Sequence, residues 1–143
     1  MASTLASAQE LKQVIRQKLL DSDDVYDIVE DRVFGNHLQT PDIGSVDFPL
    51  VIIEFYLGDA AIMGGYQEVI LELWCYDRVG SAEALKLYDA CYRALQHTLL
   101  SVSGIATKGF CTEMNRPTEG FNDMPRAYFA RGRWRARAGI YGD

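Results

Sequence analysis

Near the C-terminal end of this 143-residue chain, Arg131, Arg133, Arg135 and Arg137 alternate with Gly132, Trp134 and Ala136. Successive side chains of an extended strand point to opposite faces, so this spacing sets four guanidiniums in a row on one face. At the usual strand rise the row spans about 20 Å, and like charges so placed repel unless acids, phosphates or water lie opposite. A solvated sheet face is one use of such a row, and contact with the phosphates of DNA, which would be strongly salt-dependent, is another. The third use is a match to carboxylates, which the planar fork of arginine engages bidentately. The acids for it lie earlier in the chain, at Glu68 and Glu72 and in the run Asp21, Asp23, Asp24, Asp27, Glu30 and Asp31. We expect the row to meet these acids within the sheet or across subunits.

Other chemistry finds little footing. The chain has no G-x-G-x-x-G, P-loop, G-x-S-x-G or H-E-x-x-H pattern, the spacings that cradle phosphates or present nucleophiles and metal ligands. Glu54, Glu68 and Glu72 are the carboxylates that neighbouring strands would assemble for acid-base work, and a solvated or ion-paired face accounts for them more simply. The acid-rich run lacks the ligand order of a calcium loop and reads as a capped, solvated helix. Cys75, Cys91 and Cys111 are widely spaced in apolar surroundings and His37 and His97 are isolated, which suits small buried hydrophobes better than a metal site. Trp74, Trp134 and Tyr56, Tyr66, Tyr76, Tyr88 and Tyr92 sit in strand and helix patterns that favour core packing over base stacking. We assign no catalytic, metal or cofactor residue and expect no enzyme and no cofactor.

The elements that position these residues follow from periodicity. Leu11, Val14, Ile15 and Leu19 recur at helical spacing opposite Lys12, Arg16 and Gln17, an amphipathic helix over residues 9–20. Asp23 is placed to cap a short second helix bearing Val25, Ile28 and Val29. Residues 35–48 read as a loop, and residues 49–55 and 66–76 as antiparallel strands, the second with Val69, Leu71, Leu73 and Cys75 on one side and Glu68 and Glu72 on the other. Between them lies a glycine-bearing connection, residues 57–65, tipped by Ile62 and Met63. Exposed apolar residues there would be unusual unless another chain covers them, so both are expected interface residues. A long helix is expected over residues 81–100, then strands over 105–115 and 126–138 around a turn-rich stretch at 116–125. The order predicts an α+β fold in a single domain, residues 1–143, with a mainly antiparallel four-stranded sheet and a long helix and N-terminal helices packed on one face.

Hydrophobic and charged fractions of 48% and 24% belong to an ordinary globular chain. Its apolar runs are far shorter than the ~20 residues of a membrane-spanning helix. The opening Met1-Ala-Ser-Thr-Leu-Ala-Ser lacks the pattern of a secretory signal, so assembly in the cytoplasm is expected, without a membrane partner. The net charge of −6 is divided unevenly: residues 1–90 hold 16 acids against 6 bases, and residues 91–143 hold 4 against 8. An acidic whole opposes general attraction to nucleic acid, whereas two parts of opposite sign suit self-assembly.

The order of features resembles the small tail terminator, or tail completion, proteins of long-tailed bacteriophages. It comprises Leu11-Lys-Gln-Val-Ile-Arg-Gln-Lys-Leu-Leu20, an acidic helix leading to Asp31-Arg-Val-Phe34, Phe48-Pro-Leu-Val-Ile-Ile-Glu54, a variable loop, Val69-Ile-Leu-Glu-Leu-Trp-Cys-Tyr-Asp-Arg78 and Ser81-Ala-Glu-Ala-Leu-Lys-Leu-Tyr-Asp-Ala-Cys-Tyr-Arg-Ala-Leu95, then a C-terminal hairpin. The resemblance implies a structural virion protein at the head-proximal end of the tail, forming a homo-hexameric ring that caps the tail tube protein and docks onto the head connector or stopper. It transfers no catalytic residue. A head-completion or neck adaptor is the second structural expectation, with DNA passing along the channel as a further contact. From another class, a small ligand-binding or hydrolase domain would use the acidic sheet face. Ring interfaces of this kind join two different patches of each subunit, which assigns Arg131, Arg133, Arg135, Arg137, Glu68, Glu72, Ile62 and Met63 to the expected interface.

Overall fold

The computed structural model describes residues 8–35, 47–56, 66–96, 99–102, 105–123 and 126–139, with the backbone alone described at 8–12, 56, 66–69, 99–102, 105–112 and 137–139. Among these residues are three helices, α1 (Ala8–Asp21), α2 (Asp23–Val29) and α3 (Ser81–Leu95), and seven strands: β1 (Val33–Phe34), β2 (Leu50–Tyr56), β3 (Tyr66–Asp77), β4 (Leu99–Val102), β5 (Ile105–Glu113), β6 (Thr118–Asp123) and β7 (Arg126–Gly139). They form one sheet in the order β1-β2-β3-β7-β5-β4, with β6 also paired to β7. All pairings are antiparallel except β1 with β2.

This corrects the expected four-stranded, mainly antiparallel sheet under a long helix. The sheet is mixed and has seven strands, and the three helices are 14, 7 and 15 residues long. Each extra strand hides in a stretch that local pattern assigns elsewhere. Val33–Phe34 is too short to show alternation, and tertiary bonds hold it: Val51 N–H donates to the Arg32 carbonyl (3.0 Å) and Arg32 Nε to the Pro49 carbonyl (2.9 Å). Leu99–Val102 extends the apolar run of α3, and a run of that length does not by itself separate helix from strand. The helix in fact stops at Leu95, where Gln96 turns to extended backbone (φ −63°, ψ 121°). Thr118–Asp123 carries Gly120, Asn122 and Asp123, which favour turns, yet pairing along β7 overrides that preference.

The helices cover one face of the sheet. Ile15 and Leu19 of α1, Val25 and Val29 of α2, and Ala84, Leu87, Tyr88, Cys91 and Leu95 of α3 join Val51, Ile53, Leu71, Leu73, Cys75, Ala130, Trp134 and Ala136 in one buried core. Each buried Val, Leu or Ile among them contributes about 1.5–3 kcal/mol on leaving water, which matters most for α2 with its two valines, since a helix of 7 residues is not stable on its own. Its N-cap is Ser22, whose Oγ accepts from Val25 N–H (3.4 Å), and not Asp23 as the sequence suggested. The alternate residues of the same strands form a second cluster on the opposite face: Leu50, Ile52, Tyr76 and Ala127, with Phe34, Phe48, Trp74 and Phe129 packed against them.

Candidate functional site

The face opposite the helices carries the charged residues singled out above. Because Ala130, Gly132, Trp134 and Ala136 turn toward the core, β7 presents Arg131, Arg133 and Arg135 on the other side. The register sets Glu72 of β3 opposite both Arg133 of β7 and Glu54 of β2, and Trp74 opposite Arg131. Arg133 Nη2 lies 3.4 Å from Glu72 Oε2; the arginine side chain is half exposed while Glu72 is 7% exposed. The Arg131 guanidinium stands 4.9 Å from the ring centroid of Trp74, a cation-π contact, and Trp74 stacks on Tyr76 at 5.8 Å. Asn122 Nδ2 donates to the Tyr76 hydroxyl (3.2 Å). Burial is the main cause that pushes the Tyr76 phenol well above its ordinary range.

Of the remaining expected interface residues, Glu68 and Arg137 are register partners on β3 and β7, and their side chains lie outside the described residues. Ile62 and Met63 lie wholly outside them. The acidic run is well separated from the arginine row: Asp21, Asp23, Asp24, Asp27, Glu30 and Asp31 are exposed on the helix layer, behind the sheet. Asp24 there pairs with Arg93 across solvent (3.7 Å).

Sequence reasoning missed the feature that shapes this face. Strands β5 and β6 both pair with β7, and between Glu113↔Trp134 and Thr118↔Arg131 four residues, 114–117, stand opposite two, 132–133. The two extra residues make a bulge, anchored where Met114 N–H donates to the Arg133 carbonyl (2.8 Å). Bulges bend a strand and re-aim its side chains. Here Asn115, Arg116 and Thr118 join Arg131, Arg133 and Glu72 around an open cleft of about 130 Å³. Asn115-Arg-Pro117, a turn signal between two strand patterns, was the clue available in the sequence. Three guanidiniums, an amide and a hydroxyl against one carboxylate give the cleft an excess of the donors that hydrogen-bond oxyanions. No group of three His, Cys, Asp or Glu among the described residues is arranged to hold a metal, and none of their helices is long and apolar enough to cross a membrane.

No protein-family model and no curated protein matches the chain. A solved virion chain shares its fold. That chain belongs to a structure described as the virion of a native gene transfer agent particle, and it aligns over 95% of this chain and 99% of its own length, with a TM-score of 0.69 and 18% sequence identity. At this identity the likeness is one of fold, and it extends over both the helix layer and the open sheet face.

Proposed function

We propose that this chain is a structural, non-enzymatic subunit of a phage-like virion, located at the head-proximal end of the tail, where a homo-hexameric ring of it caps the tail tube and joins the head connector. The observation that carries this reading is the near-complete alignment with a gene transfer agent virion chain, end to end on both sides. The order of helices and strands that resembles tail terminators supports the finer position. Charge supports assembly: the acidic helix layer and the arginine-bearing sheet face lie on opposite sides of one sheet, and a heterologous ring contact joins two such different patches.

Removal of the gene from a particle-producing strain tests the proposal. The expected result is filled heads and separate tails lacking a capped end, with the chain found by cross-linking mass spectrometry beside the tail tube protein in wild-type particles. Normal, fully joined particles without the chain would overturn the virion role. A chain cross-linked to the portal side alone would replace the terminator position with that of a neck adaptor.

A further inference from the structure

We propose that the cleft between the β5–β6 bulge and the open sheet face is the receptor for the acidic outer face of α2 from a second copy of this chain. The pairing rests on the ring reading above and identifies which two patches meet.

The receptor is built rather than incidental. Two inserted residues lift Arg116 and Asn115 out of the ladder at the place where Arg131 and Arg133 project from β7. Arg131 is held against Trp74 and Arg133 against Glu72, so these guanidiniums are positioned before any partner arrives. Preorganised donors lose less freedom on binding. The Arg133–Glu72 pair also demonstrates that a carboxylate fits this surface.

The ligand lies on the helix layer of the same chain. Asp23, Tyr26 and Asp27 are spaced i, i+3 and i+4 and share the outer face of α2, Glu30 follows as its C-cap in an exposed pair with Arg32 (3.2 Å), and Val25 and Val29 turn inward to the core. Three of the four are exposed acids, and the fourth is a tyrosine left 46% exposed among them. Tyrosine at the centre of a charged patch is the composition of an interface anchor rather than of a solvated helix. Because α2 lies on the helix layer and the cleft on the opposite face, one copy cannot join its own two patches. Contact between copies is therefore heterologous, and such contacts propagate head to tail and form a ring when the rotation between copies closes. A track for DNA phosphates is the competing use of the cleft. The buried Glu72 carboxylate inside it and the −6 charge of the chain weigh against that use.

Two charge reversals of the full chain, alone and mixed, test the pairing. The cleft variant is Arg116→Glu with Thr118→Glu, two exposed positions that leave the Glu72–Arg133 pair in place. The helix variant is Asp27→Lys with Glu30→Lys, in the last turn and at the C-cap of α2, where positive charge suits the helix dipole and the pair lost is the exposed one between Glu30 and Arg32. Circular dichroism establishes that each is folded. By sedimentation at low ionic strength the wild type is expected to self-associate and each variant alone to associate at least about tenfold more weakly. An equal mixture should recover association, since each cleft then meets a helix of opposite charge in an alternating assembly. A wild type that stays monomeric, variants that associate normally, or a mixture that does not recover overturns the pairing. Duplex DNA retained by the wild type and by the helix variant but not by the cleft variant would assign the cleft to phosphates instead. Failure here leaves the virion reading intact, because that reading falls only if particles assemble normally without the chain.

Discussion

Tyr88 concentrates the strongest single-residue constraints of the molecule. Its hydroxyl donates to the Glu113 carboxylate and accepts from Trp134 Nε1 at 3.0 Å, tying α3 to both β5 and β7. The ring sits over Gly132, where an added Cβ would lie 1.8 Å from the hydroxyl and 2.6 Å from Cζ. The tyrosine cannot give way without losing both bonds, so Gly132→Ala should cost about 3 kcal/mol from overpacking and strained bonding. A denaturant midpoint unchanged in Gly132→Ala would refute this. The environment also decides the pH response. Burial first, then the bond to Glu113, pushes the Tyr88 phenol well above its ordinary range, and burial does the same to Tyr76. An unfolded phenol releases its proton near pH ~10, so the unfolded chain binds fewer protons than the folded one above that pH. Stability from these two groups is then present below pH ~10 and lost as pH rises beyond it. Phenolate absorbance and far-ultraviolet dichroism followed together should show a late class of tyrosines that titrates only as the fold opens. Complete titration near pH ~10 with an intact spectrum would contradict it.

Elements here are held by local devices that differ in kind. Helix α2 relies on its Ser22 cap and on two buried valines. Ser22→Ala should therefore cost about 1 kcal/mol and lower hydrogen-exchange protection in α2 before it affects β3 or β7. Equal loss of protection across all elements would show that the cap has no local role. The bulge at 114–117 is of another kind: the ladder on either side of it is regular, and four residues face two. Deleting Asn115 and Arg116 leaves Met114 and Pro117 opposite Arg133 and Gly132, a continuous ladder. The shortened chain is expected to fold with an unchanged dichroism spectrum while its self-association falls as in the cleft variant. Retained association would mean that the bulge does not shape the contact. The buried thiols of Cys75 and Cys91 show a further link between elements. Their sulfurs are 4.0 Å apart across the β3–α3 boundary, and burial raises the Cys75 thiol well above its usual range, which keeps it in the inert, protonated form.

At the scale of the whole molecule, one sheet runs from β1 to β4 with a packed cluster on each face. Leu50 and Ile52 of β2 alternate with Val51 and Ile53, so neither cluster can dissolve without disordering strands that the other needs. Chemical unfolding should then be a single transition, as expected of one cooperative domain. Trp74 reports the open-face cluster and Trp134 the helix-facing core, so fluorescence of single-tryptophan variants distinguishes the two. Coincident midpoints from both probes and from dichroism are the expected outcome, and separated midpoints would divide the chain into two folding units.

The sequence by itself determined what depends on near neighbours along the chain. Alternation of Leu71, Leu73 and Cys75 with Glu72 was enough to read β3 and the faces of its side chains, and the Arg131, Arg133, Arg135 row was legible for the same reason, because strand periodicity is a property of the backbone. The spacing of Ile15 and Leu19 likewise marked α1 and its inward face. Tertiary structure decided what depends on pairing. Val33–Phe34 is a strand because β2 offers it a parallel partner, Val33 pairing with the distant Val51, and Thr118–Asp123 is one because β7, which follows directly in sequence, extends past the end of β5 and pairs with its turn-forming residues. The same holds for the cleft. Glu72, Arg116 and Arg133 come from three separate strands or strand ends, and a two-residue excess in one strand is visible only when it is counted against the strand beside it. Local sequence sets the faces of each element, while register across distant strands sets which charged groups stand together.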